Sequence, residues 1–506
     1  MAVQSKSLRE GLFAAAGTGD LKQQSVRGGA VALGGEGLKF GLRMGATMIL
    51  ARLLAPEDFG VQGMVLTMTG FLSLFKDAGL SLATVQRDAI THEQTSTLFW
   101  INVGMGILLA VCSSALAPAV AAFYREPRLQ LVVIVSASAF VFNGFTVQHQ
   151  ALLRRKMRFV ALAIIEISSL LVGALVGIAM AALGYGYWAL VVMALSIPIV
   201  TALGVWLAVP WVPGMPRRGC GIRSMLDIGG TWTLIGFIVY ISYNVEKVLL
   251  GRFWGASSLG LYGRAYQLIN LPTELLNSSV GTVALPALSR LQRDAERLRR
   301  IFLKFYSLVL SLTIPVTFVC ALFAEEIVWV VLGPKWSQAV LILRALAPTV
   351  LAFALMNPFS WLLAATARNR LSIVTALFVP PAVIAGIVAG LRYGPAGVAL
   401  GYSAGVSLAA LLVMASCWRA SGIPLRELRE VIQRPLLAGL VAATCGLGLK
   451  IILYGVLPPV LNLIAGLCVT LGLYAWILLV IQGQREFYMD ILNSILRRPH
   501  PNKATP

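Results

Sequence analysis

The stretch Ala51-Arg52-Leu53-Leu54-Ala55-Pro56-Glu57-Asp58-Phe59-Gly60-Val61-Gln62-Gly63 recurs two hundred residues later as Gly251-Arg252-Phe253-Trp254-Gly255-Ala256-Ser257-Ser258-Leu259-Gly260-Leu261-Tyr262-Gly263. Arg52 aligns with Arg252, Gly60 with Gly260 and Gly63 with Gly263, without a gap. Each copy joins one long apolar segment to the next, so the chain reads as two fused copies of one helical unit. In membranes, fused repeats commonly place a binding site between the halves and rock one half against the other. A transporter is the first expectation.

Of the 506 residues, 58% are hydrophobic and 12% charged, where soluble domains carry about 25% charged residues. Fourteen apolar segments follow one another, near 28–51, 59–75, 97–121, 130–148, 159–182, 186–209, 226–250, 259–286, 303–323, 338–365, 371–391, 395–417, 435–455 and 458–482. Most approach or exceed the roughly 20 residues a helix needs to cross a bilayer. The net charge of +20 could signal nucleic-acid binding or membrane topology, and its distribution decides. With the N-terminus inside, cytoplasmic loops and tails hold 29 of the 41 Lys and Arg, opposite loops six and spans six. That asymmetry is the positive-inside pattern, so no nucleic-acid partner is needed. It predicts an inner-membrane, multi-pass protein with both termini cytoplasmic.

Six spans per copy, an even number, bring both copies in from the same side, so the repeats are parallel. The predicted fold class is an all-α integral membrane protein with about 14 transmembrane helices, in two parallel six-helix repeats plus a C-terminal helix pair. The expected divisions are a cytoplasmic segment 1–27, lobes 28–209 and 226–417 joined by a linker 210–225, the extra pair 435–482, and a tail 483–506. Further echoes mark the duplication: Leu152-Leu153 before a basic loop matches Leu362-Leu363 before Arg368 and Arg370, and Tyr185-Gly186 matches Tyr393-Gly394. Gly37, Gly41 and Gly45 line one face of the first span, which suits close helix packing or a bendable gate. Pro272, Pro315, Pro348, Pro380 and Pro381 fall inside other spans and should kink them.

Charges inside apolar spans are the sharpest chemical signal, each disfavoured by about 2.5–3.5 kcal/mol at mid-membrane. Glu36, Lys39 and Arg43 stack on one face of the first span, and Glu166 lies in the fifth. The repeat partner of the first span, the seventh, ends in Tyr243-Asn244-Val245-Glu246-Lys247, with Tyr240, Tyr243 and Lys247 on one face. The eighth carries Arg264 and Glu274, the tenth Arg344, and the thirteenth Lys450. Two readings are open. Lys39 could pair with Glu36, and Glu246 with Arg264 or Lys247, as internal cross-links. Alternatively the set lines a water-filled, modestly positive cavity between the halves that takes an anion, Arg being suited to phosphate. Trp232, Tyr240, Tyr262, Tyr266 and Trp361 could stack on sugars or serve as anchors. Asn143, Asn270, Asn277 and Asn357 could bond hydroxyls or neighbouring helices.

No catalytic constellation is present. His92, His149 and His500 are scattered, and six cysteines lack metal-ligand spacing. No metal or cofactor is expected. The Gly34–Lys39 run lacks the spacing of a phosphate-binding loop and sits inside a span, so no ATPase is expected. Glu57-Asp58 reads as an N-capping pair opening the second span. External loops are too short for a catalytic domain.

At Ala51–Gly60 the chain resembles polysaccharide flippases, the Wzx-type branch of the multidrug/oligosaccharidyl-lipid/polysaccharide exporter superfamily, in its exopolysaccharide, colanic-acid-like subgroup. In that family an R-L-L-x-P-x-x-F-G sequence follows the first helix. A G-x-x-x-G-x-x-x-L-G-x-Y-like sequence follows the seventh, matched here by Gly251, Gly255, Leu259, Gly260 and Tyr262 behind the acidic Glu246. The resemblance implies that an undecaprenyl-pyrophosphate-linked oligosaccharide is flipped across the inner membrane by alternating access, for exopolysaccharide or lipopolysaccharide biosynthesis. H⁺ or Na⁺ would drive the cycle, membrane lipids would surround the protein, and a polysaccharide polymerase and glycosyltransferases would be pathway partners. Lys39, Arg43, Lys247 and Arg264 would bind the pyrophosphate, with Glu36, Glu246 and Glu274 available for ion coupling or charge pairing. Arg52, Gly60, Arg252 and Gly260 are the repeat motif. The side-by-side Glu246-Lys247 departs from the pattern and weakens Lys247 as a phosphate ligand. Rival readings are a MurJ-like lipid II flippase, and a MATE-like small-molecule exporter, which the basic surplus disfavours.

Overall fold

The computed structural model describes residues 21–76, 81, 84–85, 90–217, 240, 244–453, 455–486 and 488. It is helical, with no strand among the described residues. The helices are α1 (Leu21–Leu53), α2 (Pro56–Ser73), α3 (His92–Tyr124), α4 (Leu129–Arg155), α5 (Phe159–Ala182), α6 (Tyr187–Ala208) and α7 (Val245–Ser289). After them come α8 (Ala295–Leu322), α9 (Ala324–Val331), α10 (Ala339–Leu346), α11 (Pro348–Ala365), α12 (Asn369–Gly390), α13 (Gly394–Ser421), α14 (Leu425–Leu453) and α15 (Pro459–Trp476). Of the fourteen expected spans, thirteen fall on these helices. The seventh, 226–250, lies largely outside the described residues, as do Trp232 and Tyr243. Nine helical stretches among the described residues are long and apolar enough to cross a membrane. Helices are the natural solution because each satisfies its own backbone hydrogen bonds in a solvent that offers none.

The chain forms two compact units, the first ending at Gly263 and the second beginning at Arg264, so the boundary falls inside α7. Within the first, α3 packs on α4, α5 on α6, and α4 on α6. Within the second, α8 packs on α11, α12 on α13, and α11 on α13. These are the same neighbour relations, third with fourth, fifth with sixth and fourth with sixth.

The duplication also survives in the backbone. After α4, Met157 takes φ 53° and, after α11, Ala367 takes φ 52°. The residues that follow, Arg158 and Arg368, share φ −80° with ψ 56° and 57°. In both turns the capping bonds repeat: Lys156 N–H to Leu152 O and Thr366 N–H to Leu362 O, each 3.0 Å, then Arg158 N–H to Leu153 O at 3.0 Å and Arg368 N–H to Leu363 O at 3.1 Å. A left-handed conformation at a residue other than glycine is uncommon, so its recurrence reports common descent of the two turns rather than a shared amino acid.

Small residues set the helix spacing. On α12 and α13, a Cβ at Gly386 or Gly390 would overlap the carbonyl oxygens of Gly401 and Gly397, and the reverse holds for the partner glycines. This is close backbone packing of the kind membrane helices use in place of a hydrophobic driving force. Gly37, Gly41 and Gly45 do not behave this way. A Cβ at each meets nothing within 4 Å among the described residues, and the contact of α1 with α5 runs through Gly35 and Ala163 instead. Of the span prolines, Pro272, Pro315, Pro380 and Pro381 lie within helices, whereas Pro348 opens α11 at its first turn, where a missing N–H is harmless.

The extra helix pair is fastened by a buried polar cluster. Lys450 of α14 donates to Glu326 Oε2 on α9 at 2.8 Å and to Leu322 O at 2.9 Å, and Asn462 of α15 donates to Glu326 Oε1 at 3.1 Å. Both charged side chains are nearly inaccessible, at 10% and 5%. Breaking a buried pair strands a charge and destabilises by about 3–5 kcal/mol, whereas replacing both members by apolar side chains is nearly neutral. Lys450→Met should therefore lower the thermal midpoint of the purified protein more than the double variant K450M/E326M. Equal losses would show that the pair is not the fastening.

Candidate functional site

The two copies of the repeated motif meet each other. Both lie within the first unit, which extends through Gly263. A Cβ at Gly60 would overlap the carbonyl oxygen of Ala256, and a Cβ at Gly260 would overlap that of Pro56. Ala256 is the repeat counterpart of Pro56, so each glycine sits on the partner copy of one and the same position. This reciprocity is what a twofold relation between two segments produces. Burial follows it: Ala51 and Gly251, Phe59 and Leu259, and Gly60 and Gly260 are buried in both copies.

The helix break falls at matching residues too. Ala55 is extended (φ −89°, ψ 156°) before α2, and Gly255 interrupts α7 with φ 78°, ψ −177°. Only glycine adopts that second conformation without strain. Asp58 caps α2 by accepting from the Ala55 N–H at 2.9 Å. Glu57 instead pairs with Arg128, which also bonds Glu126 at 2.7 Å and lies over the Tyr187 ring. The Arg128 hydrogen bond holds the Glu126 carboxyl below the ordinary carboxylate range, partial burial opposing it. Of the acidic pair, one member caps and the other ties α2 to the start of α4. The motif arginines differ: Arg52 is exposed, while Arg252 is half-buried with its guanidinium 5.7 Å from the Phe123 ring centre.

Lys39 is committed to two carboxylates. Its Nζ lies 2.5 Å from Glu36 Oε1 and 2.6 Å from Glu166 Oε2 on α5, and its side chain is only 12% accessible. The Glu36 pairing is the local cross-link of the first reading, while the Glu166 pairing joins helices 127 residues apart. One turn on, Arg43 is exposed on the same face. At the end of the seventh span, Lys247 donates to Asn244 Oδ1 at 2.8 Å and lies 3.9 Å from Glu246. Glu246 is fully buried, and neither of its oxygens has a hydrogen-bond partner among the described residues. Just before it, the Tyr240 hydroxyl donates to Thr67 O at 2.7 Å and packs over Gly70. A cavity of about 380 Å³ lies beside them, lined by Tyr124, Tyr240, Asn244 and apolar side chains of α2 and α3. A second, of about 250 Å³, opens between α2, α4 and α6 and carries Gln62, Thr69, Ser73, Lys76, Ser136 and Asn143 on otherwise apolar walls.

In the second unit, Arg264 donates to Gln267, and Asn270 donates to Glu274 at 2.6 Å. Tyr266 packs edge-on to Tyr402, and Trp361 covers Gly281. Arg344 is half-exposed, 3.9 Å from Glu325. Sequence reasoning noticed Glu166 and Lys450 as charges inside spans without finding their partners, and overlooked Glu326 altogether. A lysine deep in an apolar helix demands an acid nearby, which is the signal that could have led to it.

The profile of a family described as "Polysaccharide biosynthesis protein" matches residues 49–341. The chain is 27% identical over 393 residues to the lipopolysaccharide biosynthesis protein WzxC of Escherichia coli (strain K12), covering 76% of this chain and 78% of that one. To the succinoglycan biosynthesis transport protein ExoT of Rhizobium meliloti (strain 1021) it is 27% identical over 312 residues, covering 61% and 62%. Among solved structures, the lipid II flippase MurJ in its inward closed conformation superposes with a TM-score of 0.72 over 92% of this chain and 99% of that one, at 14% identity. The fold is therefore that of this class of membrane transporter.

The motif crossing predicts unequal tolerance of its glycines. Gly260→Ala drives a methyl into the Pro56 carbonyl, and overpacking of this kind costs about 1–3 kcal/mol. A Cβ at Gly263 meets nothing within 4 Å among the described residues. The thermal midpoint should fall for Gly260→Ala and hold for Gly263→Ala, and the reverse order would refute the crossing.

Proposed function

The chain belongs to the polysaccharide biosynthesis protein family, and on that premise we propose that it flips undecaprenyl-pyrophosphate-linked oligosaccharide units across a bacterial inner membrane. The units would feed exopolysaccharide or lipopolysaccharide assembly, and the protein would act by alternating access rather than as an enzyme. Relatives acting in lipopolysaccharide and succinoglycan biosynthesis support a glycan cargo over lipid II. The fold shared with a lipid II flippase supports handling of a lipid-linked one. Both termini are assigned to the cytoplasm from the distribution of Lys and Arg. Two parallel six-helix lobes, 28–209 and 226–417, carry the cycle, with 435–482 added to the second.

The observation that carries this reading is Arg43, an exposed guanidinium on the apolar first helix, nine residues before the family motif at Arg52. A charge there requires water or an anion rather than acyl chains, and a planar fork suits a pyrophosphate. Lys39 contributes differently. Held between Glu36 and Glu166, it fixes α1 against α5 and can reach phosphate only by releasing one of them. Lys247 and Arg264 complete the proposed phosphate contacts, and Arg52 and Arg252 flank the crossing. Glu246 is the proposed coupling residue, to H⁺ in preference to Na⁺: its buried carboxylate has no hydrogen-bond partner among the described residues and only Lys247 nearby, at 3.9 Å, whereas Na⁺ needs several oxygen ligands. Glu36 and Glu274 remain the alternative carriers.

Arg43→Gln should reduce polymer export by about ten- to a hundredfold, the worth of one charge-assisted phosphate contact, with membrane insertion unchanged. The measurement is secreted polymer in a strain whose own flippase gene is deleted. Full export by that variant would remove the role of Arg43. Rescue of a strain lacking its lipid II flippase, with no rescue of polymer export, would reverse the choice of cargo.

A further inference from the structure

Three helix ends converge on a cavity of about 400 Å³ in the second unit: the starts of α8 and α14, and the chain just after the helical turn Ile477–Ile481 that follows α15. Its rim is basic, with Arg299, Arg300, Lys304 and Arg434, and Glu296, Glu427 and Glu430 interleaved. The carboxylates are all engaged. Glu296 pairs with Arg300 at 3.1 Å, Glu427 with Arg299 at 3.4 Å, and Glu430 with Arg426, just outside the cavity, at 3.1 Å. Of the charged side chains that line the cavity, four are cationic and three are carboxylates.

The depth of the cavity is equally specific. Apolar sequence begins immediately beyond it: Pro435, next to Arg434, is buried, and α8 is largely buried from Tyr306 onward. Leu303 and Val431 form part of its wall. Ser307 lies at its inner end, where the Tyr488 hydroxyl is 3.4 Å from Ser307 Oγ and also bonds Ser311. A basic rim over hydroxyls, at the level where three apolar segments end, matches a phosphate group at the headgroup layer with its chains directed into the bilayer. The cluster draws on α14 and the segment after α15, which have no counterpart in the first six spans.

We infer that this cavity binds a phosphodiester, supplied by an anionic glycerophospholipid of the surrounding leaflet, which seats the extra helix pair on α8. The inference rests on membrane embedding and not on the cargo proposed above. The test uses the full chain reconstituted in nanodiscs of equimolar phosphatidylglycerol and phosphatidylcholine, extracted mildly, with co-purifying lipid counted by native mass spectrometry. Phosphatidylglycerol should be retained preferentially. A charge near the membrane surface is worth about 1 kcal/mol, or about fivefold, so Arg434→Gln should weaken retention about fivefold and R434Q/K304Q about thirtyfold. Arg419→Gln, outside the cavity lining, should leave it unchanged. Because Arg434 is exposed, the single variant reads out even where the double variant does not fold. Equal retention in wild type and Arg434→Gln overturns the site. Displacement of the lipid by millimolar inorganic phosphate overturns the lipid as its source and assigns the cavity to a soluble phosphate ester. Polymer export is not the readout, so failure here leaves the flippase reading standing, and the converse holds.

Discussion

The contact on which the architecture of the first unit turns is the reciprocal seat of Gly60 on Ala256 and of Gly260 on Pro56. No side chain could stand at either glycine without displacing a backbone carbonyl. Two helix starts can approach this closely only when both present hydrogen at the crossing, and in a bilayer such approach is a main source of helix affinity. The breaks at Ala55 and Gly255 aim α2 and the second part of α7 at that crossing. Asp58 and the Arg128 cluster then hold one of the two entrances in place.

Around that frame, ionic side chains inside the apolar helices divide into two kinds. Lys39 and Lys450 are enclosed and each meets an acid from a distant helix, Glu166 and Glu326, so they act as cross-links between helices. Arg43 is accessible and therefore free to meet an incoming anion. The distinction matters because two basic side chains one turn apart on one helix have different surroundings: Lys39 ties α1 to α5, whereas Arg43 is left accessible. Glu246 belongs to neither group. It is fully buried with no hydrogen-bond partner among the described residues, and Lys247 lies 3.9 Å away.

Much of this was legible in the chain. Apolar length was enough to set thirteen of the expected spans on helices, because a membrane helix must span a fixed thickness, although several helices run well past them: α14 starts at Leu425 against an expected 435 and α7 at Val245 against 259. The repeated motif announced the duplication, and the Leu-Leu-basic echo located a turn whose backbone proved the same in both copies, down to φ at Met157 and Ala367. Less legible were pairings between distant helices. Glu166 stands out locally as a charge inside a span, but nothing local names its partner, and Glu326 looks like an ordinary residue of a helix's first turn. The Gly37-Gly41-Gly45 face shows the limit from the other side, since its spacing suits close packing, yet no described residue comes within 4 Å of a Cβ placed there.

By itself the sequence determined that the chain is a helical membrane protein built twice over, since hydropathy, repeat spacing and the asymmetry of Lys and Arg all act through local composition. Only the tertiary structure decided that the two motifs seat on each other, that Lys39 answers to Glu166 as well as Glu36, and that Lys450 binds the extra pair through Glu326 and Asn462. The physical reason is the same in each case. A buried charge or a glycine in close packing is defined by what faces it, and what faces it is set by helices more than a hundred residues away.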